Sequence, residues 1–109
     1  MLNLNVTFYW FHKYETGEKT DDFREITPYW TKRLKNIADR SFWNYEKNRY
    51  DIFIKNDVAV YIRKGYSNKK LIGWCYRIDV VDGMKTDLHV PREVYAIRMR
   101  NIHVASKWE

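Results

Sequence analysis

With 109 residues, 45% of them hydrophobic, the chain is the size of one domain with one core. Its formal charge of +6 favours approach to polyanions and argues against mimicry of nucleic acid. A single cysteine excludes an intrachain disulfide. No basic-then-apolar leader opens the chain, and no apolar run is long enough to span a bilayer, so a soluble protein of the reducing cytoplasm, without membrane contact, is expected.

In chain order, Leu2, Leu4, Val6 and Phe8 alternate with Asn3, Asn5 and Thr7, which predicts a half-buried strand. Trp10, Phe11 and Tyr14 share a helical face from Tyr9 to Thr16, and Gly17 suits the position just past the helix end. Thr20 to Ile26 extends again, with Phe23 on one face and Asp22 and Arg24 on the other. Thr27-Pro28 is a cap and first-turn pair, and Trp30, Leu34, Ile37 and Ala38 then make a helical stripe. Residues 41–49 show no clear period and are expected as a loop or a continued short helix.

Tyr50–Lys55 and Val58–Arg63 are expected as strands of a hairpin turning at Asn56-Asp57. Gly65-Tyr66-Ser67-Asn68 is a second turn. A long strand from Leu71 to Val80 is expected to set Trp74, Tyr76, Ile78 and Val80 on one side, ending at Asp82-Gly83. Residues 84–92 read as loop, and Glu93–Arg100 as a last strand carrying Tyr95, Ile97 and Met99. The tail from Asn101 is expected to join an edge or fray. Several short strands with two helices predict an α+β domain with a mostly antiparallel, barrel-like sheet.

Metal and nucleophile chemistry find no support. His12, His89 and His103 are scattered, Cys75 sits on a predicted strand as a small buried thiol, and no glycine-rich nucleotide loop is present. No cofactor is expected. Gly17 to Glu25 is richer. Lys19 follows the helix-ending glycine, Arg24 offers a planar fork for phosphate or carboxylate, and Asp22 can orient either cation or accept a proton. The alternative for this segment is an ion-pair network closing one end of the sheet. A second group is the basic turn, Arg63, Lys64, Tyr66, Ser67, Lys69 and Lys70, which combines cations with a ring as single-strand binders do, or is a solvated hairpin tip. Lys32, Arg33 and Lys35 form a third basic patch.

Gly17-Glu-Lys-Thr-Asp-Asp-Phe-Arg-Glu25 resembles the G-x-K-T-x-x-(aromatic)-R-E signature of the ASCH domain, a family with a PUA-like fold. The first strand, the segment Ile26–Leu34, the run Ile62–Ser67 and the strand from Val94 to Met99 are similar to further parts of its small stand-alone bacterial and phage members. The resemblance implies one domain over residues 1–109, a PUA-like, mostly antiparallel β-barrel flanked by two or three helices. It implies a cytoplasmic protein that binds RNA, single-stranded nucleic acid or a modified nucleoside in a cleft between the first helix, the GxKT turn and the barrel. Lys19, Thr20 and Arg24 would grip the ligand there, Lys32 and Arg33 would extend the basic track, and Tyr66, Ser67, Lys69 and Lys70 would form a stacking platform.

One branch of the family hydrolyses the acetyl amide of N4-acetylcytidine with a lysine, a threonine and a distant glutamate, and another is associated with RNA cleavage. Lys19 stands at the lysine position, and Asp22 stands where the threonine would be. The enzyme alternative therefore pairs Lys19 with Asp22 as acid and base, on an amide of a modified nucleoside or on a phosphodiester. A third alternative is a phage accessory protein that inhibits a host factor by protein contact.

Overall fold

A computed structural model describes residues 1–65 and 68–106. The elements run β1 (Leu2–Val6), α1 (Phe8–Glu15), β2 (Asp21–Glu25), α2 (Pro28–Ile37), β3 (Arg40–Asn44), β4 (Arg49–Phe53), β5 (Val58–Lys64), β6 (Lys70–Asp82) and β7 (Glu93–Val104), with a short 3-10 turn at Gly83–Lys85. The protein is α+β, and five strands form a curled half-barrel in the order β1-β5-β6-β7-β2. Among the described residues only the β1–β5 pair is parallel. Strands β3 and β4 form a separate antiparallel ribbon. None of the described helices is long and apolar enough to cross a membrane.

Phe8, expected to continue the strand, opens α1 and is exposed, but within β1 the period of two has its expected result: Leu2 and Leu4 are buried, while Asn3 and Asn5 face out. They pack with Val60 and Ile62 of β5, Leu71 and Cys75 of β6, and Tyr95, Ile97 and Met99 of β7. Phe11 and Tyr14 close the core from α1 and Leu34 from α2. Cys75 is a core thiol, and burial pushes its pKa up to about 11.

Several expectations need correction. The Tyr50–Lys55 and Val58–Arg63 strands form, but not as a hairpin. β4 pairs with β3, while β5 pairs with β1 and β6, so Asn56-Asp57 links two sheets. Residues 41–49 are neither loop nor helix throughout, since they supply most of β3 and the turn into β4. The tail joins the sheet, carrying β7 on to Val104 against Leu71. The one-sided pattern expected from Trp74 to Val80 is broken because β6 and β7 slip register twice, between Ile72 and Trp74 and between Cys75 and Arg77. The second slip inserts Tyr76, so Cys75 and Ile78 are both core residues, a parity that strict alternation forbids.

A cleft at the seam of the half-barrel

Curling brings the two unpaired sheet edges, β1 and β2, toward each other without joining them. An edge strand carries carbonyls that want donors. Here two guanidinium groups supply them: Arg24 on β2 donates to the Asn5 carbonyl at 3.3 Å, and Arg33 on α2 donates to the Asn3 carbonyl at 2.8 Å. A cleft of about 430 Å³ opens at this seam, within the usual range for small-molecule sites. Val6, Trp10, Phe23, Tyr29, Trp30 and Leu88 provide apolar wall, and Lys19, Asp22, Arg24, Glu25 and Asp87 provide charge.

Local chain geometry delivers Lys19. Helix α1 ends at Thr16, and Gly17 turns the chain with φ +82°, a left-handed conformation that costs other residues strain. The Lys19 amide then donates back to the Lys13 carbonyl at 3.1 Å, which fixes its side chain beside the helix end. Its Nζ lies 4.8 Å from the Phe23 ring centroid, 4.9 Å from Trp10 and 5.5 Å from Tyr14. Asp87, from the loop after Gly83, closes this aromatic cage with an ion pair to Lys19.

Period two in β2 puts Asp22 and Arg24 on one face, as expected. Asp22 is 4% exposed and receives three hydrogen bonds: from the Tyr14 hydroxyl at 2.9 Å, from Arg24 Nε at 2.5 Å and from Arg24 Nη2 at 3.2 Å. Burial first, and then the Asp22 charge, raises the Tyr14 phenol above its ordinary pKa, so it stays a donor. For Arg24, burial pulls the pKa down, but the hydrogen bond and charge of Asp22 outweigh it and the net shift is upward.

The Arg24 guanidinium carbon lies 4.7 Å from the Trp30 ring centroid, and that of Arg33 lies 5.0 Å from Trp30 and 5.4 Å from Tyr29. Arg33 also donates to the Tyr29 hydroxyl at 2.8 Å. Trp30 and Tyr29 meet edge to face at 5.3 Å. Planar groups therefore follow one another beside the cleft in the order Arg24, Trp30, Arg33, Tyr29, with Arg24, Trp30 and Tyr29 lining it and Arg33 bordering it. The Thr27 side chain accepts from the Trp30 amide at 3.1 Å, and Pro28 takes the first helical position, so the cap read from sequence orients this row.

Lys19, Asp22 and Arg24 thus share one cleft, and of the two cations expected beside it Asp22 holds Arg24 and not Lys19. Lys19 is paired with Asp87, and Asp22 is engaged by Tyr14 and Arg24. Thr20 lines an adjoining depression on the far side of the Lys19–Asp87 pair, and its carbonyl accepts from the Met99 amide at 3.2 Å, holding β2 to β7. Arg33 borders the cleft through Tyr29 and Trp30, whereas Lys32 lies on another face of α2. Lys69 pairs with Glu15 at 2.9 Å and Lys70 lies 4.3 Å from the Tyr61 ring centroid, and neither lines the cleft. Tyr66 and Ser67 lie outside the described residues. Among the described residues no group of three or more His, Cys, Asp or Glu side chains could hold a metal ion.

Sequence reasoning missed Asp87 and the cage of Trp10, Tyr14 and Phe23. Asp87 sits in a segment without periodicity, so no pattern could have pointed to it. Trp10 and Tyr14 were legible as one helical face, but the cation that this face receives was not. Comparison with family models, curated proteins and solved structures yields no match.

Proposed function

We propose that the seam cleft binds one nucleotide unit of single-stranded RNA, with the base against the aromatic and guanidinium surfaces and the backbone along α2. The observation that carries this reading is the row Arg24, Trp30, Arg33, Tyr29 beside a cleft of about 430 Å³. Unstacked bases are recognised by such planar groups, and each stacked base contributes about 1–3 kcal/mol. Asp22, Glu25 and Asp87 add acceptors suited to the exocyclic amines of a base, and Lys19 and Arg24 add donors. The resemblance of the Gly17–Glu25 segment to the ASCH signature supports the same reading, and the curled, mostly antiparallel sheet with two helices is compatible with the barrel-like fold which that resemblance implies.

Each cation inside the cleft faces a carboxylate, which suits recognition of a base edge better than capture of a phosphate. The test is fluorescence anisotropy with a labelled octauridylate. Tyr29→Ala is the first variant, since Tyr29 is 61% exposed and its loss leaves the core intact. The expected result is weakening of roughly 5- to 100-fold, from the stacking magnitude above. Lys19→Ala is expected to weaken binding as well. Unchanged affinity in both variants overturns the proposal.

One observation favours a second reading, hydrolysis of an amide on a modified nucleoside. Lys19 meets a carboxylate contributed from far along the chain, Asp87, in a cleft of suitable size, so an acid–base pair is in place. On this reading the pair is Lys19 with Asp87 rather than with Asp22. Release of acetate from N4-acetylcytidine by the wild type, lost in Asp87→Asn, supports it, and no release at high enzyme concentration removes it.

A further inference from the structure

A second cleft, of about 520 Å³, lies between α2 and the β3–β4 ribbon. Thr27 lines both clefts, so they meet at the start of α2. The helical period then separates them: Tyr29, Trp30 and Arg33 face the seam, while Thr31, Lys32 and Lys35 face the ribbon. The far wall carries Trp43, Arg49 and Tyr50.

The two clefts differ in electrostatics. Three carboxylates line the first, whereas the second is lined by Lys32, Lys35 and Arg49 with no carboxylate among its lining residues. Among the described residues Lys32 and Lys35 form no ion pair, and Lys35 Nζ lies 3.7 Å from the Tyr50 ring centroid. Arg49 reaches Asp51 at 2.9 Å and Glu93 at 3.6 Å, both outside the lining, and its Nε is buried without a hydrogen-bond partner among the described residues. Trp43 is 40% exposed and meets Tyr50 edge to face at 5.0 Å. The start of α2 itself contributes little to an anion: Pro28 has no N–H, and the Thr27 side chain takes the Trp30 amide. The attraction comes from side-chain cations beside aromatic rings.

We infer that this second cleft holds the phosphate of the neighbouring nucleotide, so that a single strand crosses from the seam over Thr27 and Pro28 to the ribbon. The inference rests on the RNA reading of the first cleft and divides the labour between the two. The neutralised seam discriminates the base. The acid-free cleft supplies charge attraction, and Trp43 supplies a second ring for stacking.

The experiment compares octauridylate binding by the wild type, Lys32→Ala/Lys35→Ala and Tyr29→Ala across a salt series. Alanine is a strong helix former, so the double variant keeps α2. It is expected to lose about tenfold or more in affinity at low salt, and the slope of log K against log salt is expected to flatten by about 0.7, the value for one single-strand phosphate contact. Restoring charge with Lys32→Arg/Lys35→Arg recovers both. Tyr29→Ala is expected to weaken binding with its slope unchanged. If the double alanine variant binds as the wild type does while Tyr29→Ala is weakened, the second cleft is overturned and the first stands. If only the double variant is weakened, with a flatter slope, the seam reading fails and the ribbon cleft stands as a phosphate site in its own right. No binding by the wild type overturns both.

Discussion

Replacing Asp22 by Asn keeps its volume and one acceptor for the Tyr14 hydroxyl, but removes the charge that Arg24 faces. The Asp22 side chain is 5% exposed and that of Arg24 is 23% exposed, so the pair is mostly out of water. Breaking a buried pair by neutralising one partner is worth about 3–5 kcal/mol. Arg24 keeps the Asn5 carbonyl and the Trp30 ring, so the lower end applies and a loss of about 3 kcal/mol is expected. In a domain of this size that corresponds to a Tm lower by about 12 °C. Urea denaturation measures the free-energy change directly.

The sharper test is the double variant. Arg24→Met in the Asp22→Asn background removes the stranded charge while filling similar space, so the double variant is expected to be more stable than Asp22→Asn alone. A loss below about 1 kcal/mol for Asp22→Asn, or a methionine whose cost simply adds, refutes the argument that this pair is held by mutual neutralisation.

Three further outcomes are expected. Because the folded Tyr14 pKa is raised, its contribution is complete below the unfolded value near 10 and is lost above it, at about 1.4 kcal/mol per pH unit for one proton. Stability measured from pH 9 to 11 should therefore fall less steeply in Tyr14→Phe than in the wild type. The Cys75 thiol, buried and raised to about 11, should react with iodoacetamide at pH 8.5 at least about a hundredfold more slowly in the folded protein than in urea. Gly83→Ala should destabilise by more than about 2 kcal/mol, because its Cβ would fall 2.4 Å from the Arg92 carbonyl oxygen and 2.7 Å from that of Val90. Backbone must then move in the loop that carries Asp87, so RNA affinity measured on the folded fraction should change as well.

What could be read from sequence was what local chemistry decides. Alternation in β1, the glycine after α1, and the Thr27-Pro28 cap each act within a few residues, and each stands where it was expected. Pairing was another matter. Asn56-Asp57 has the composition of a tight turn, yet β4 and β5 part company there because β5 is taken up between β1 and β6, a long-range choice that no dipeptide encodes. Residues 41–49 lacked a period because β3 is left partly in water at both parities, Phe42 and Trp43 included, while its partner β4 supplies the buried Ile52. The shared face of Asp22 and Arg24 was legible for the same local reason as β1. The pairing of Lys19 with a residue 68 positions away was not.

That remote partner changes what the surplus of positive charge means. Taken as a sum, +6 invites a picture of a uniformly cationic groove. In the fold, Lys19 is cancelled by Asp87 and Arg24 by Asp22, so the seam is polar but nearly neutral, and hydrogen bonds there can discriminate one base from another. Among the described cations without an ion pair, Lys32 and Lys35 sit one helical face away beside a cleft with no acid in its walls. A chain that needed only electrostatic adhesion had no reason to set an aspartate against each cation lining this cleft. On the proposed reading, neutralisation at the seam and charge beside it suit a binder of defined nucleotides, and the salt dependence of binding is then expected to follow α2 rather than the Gly17–Glu25 segment.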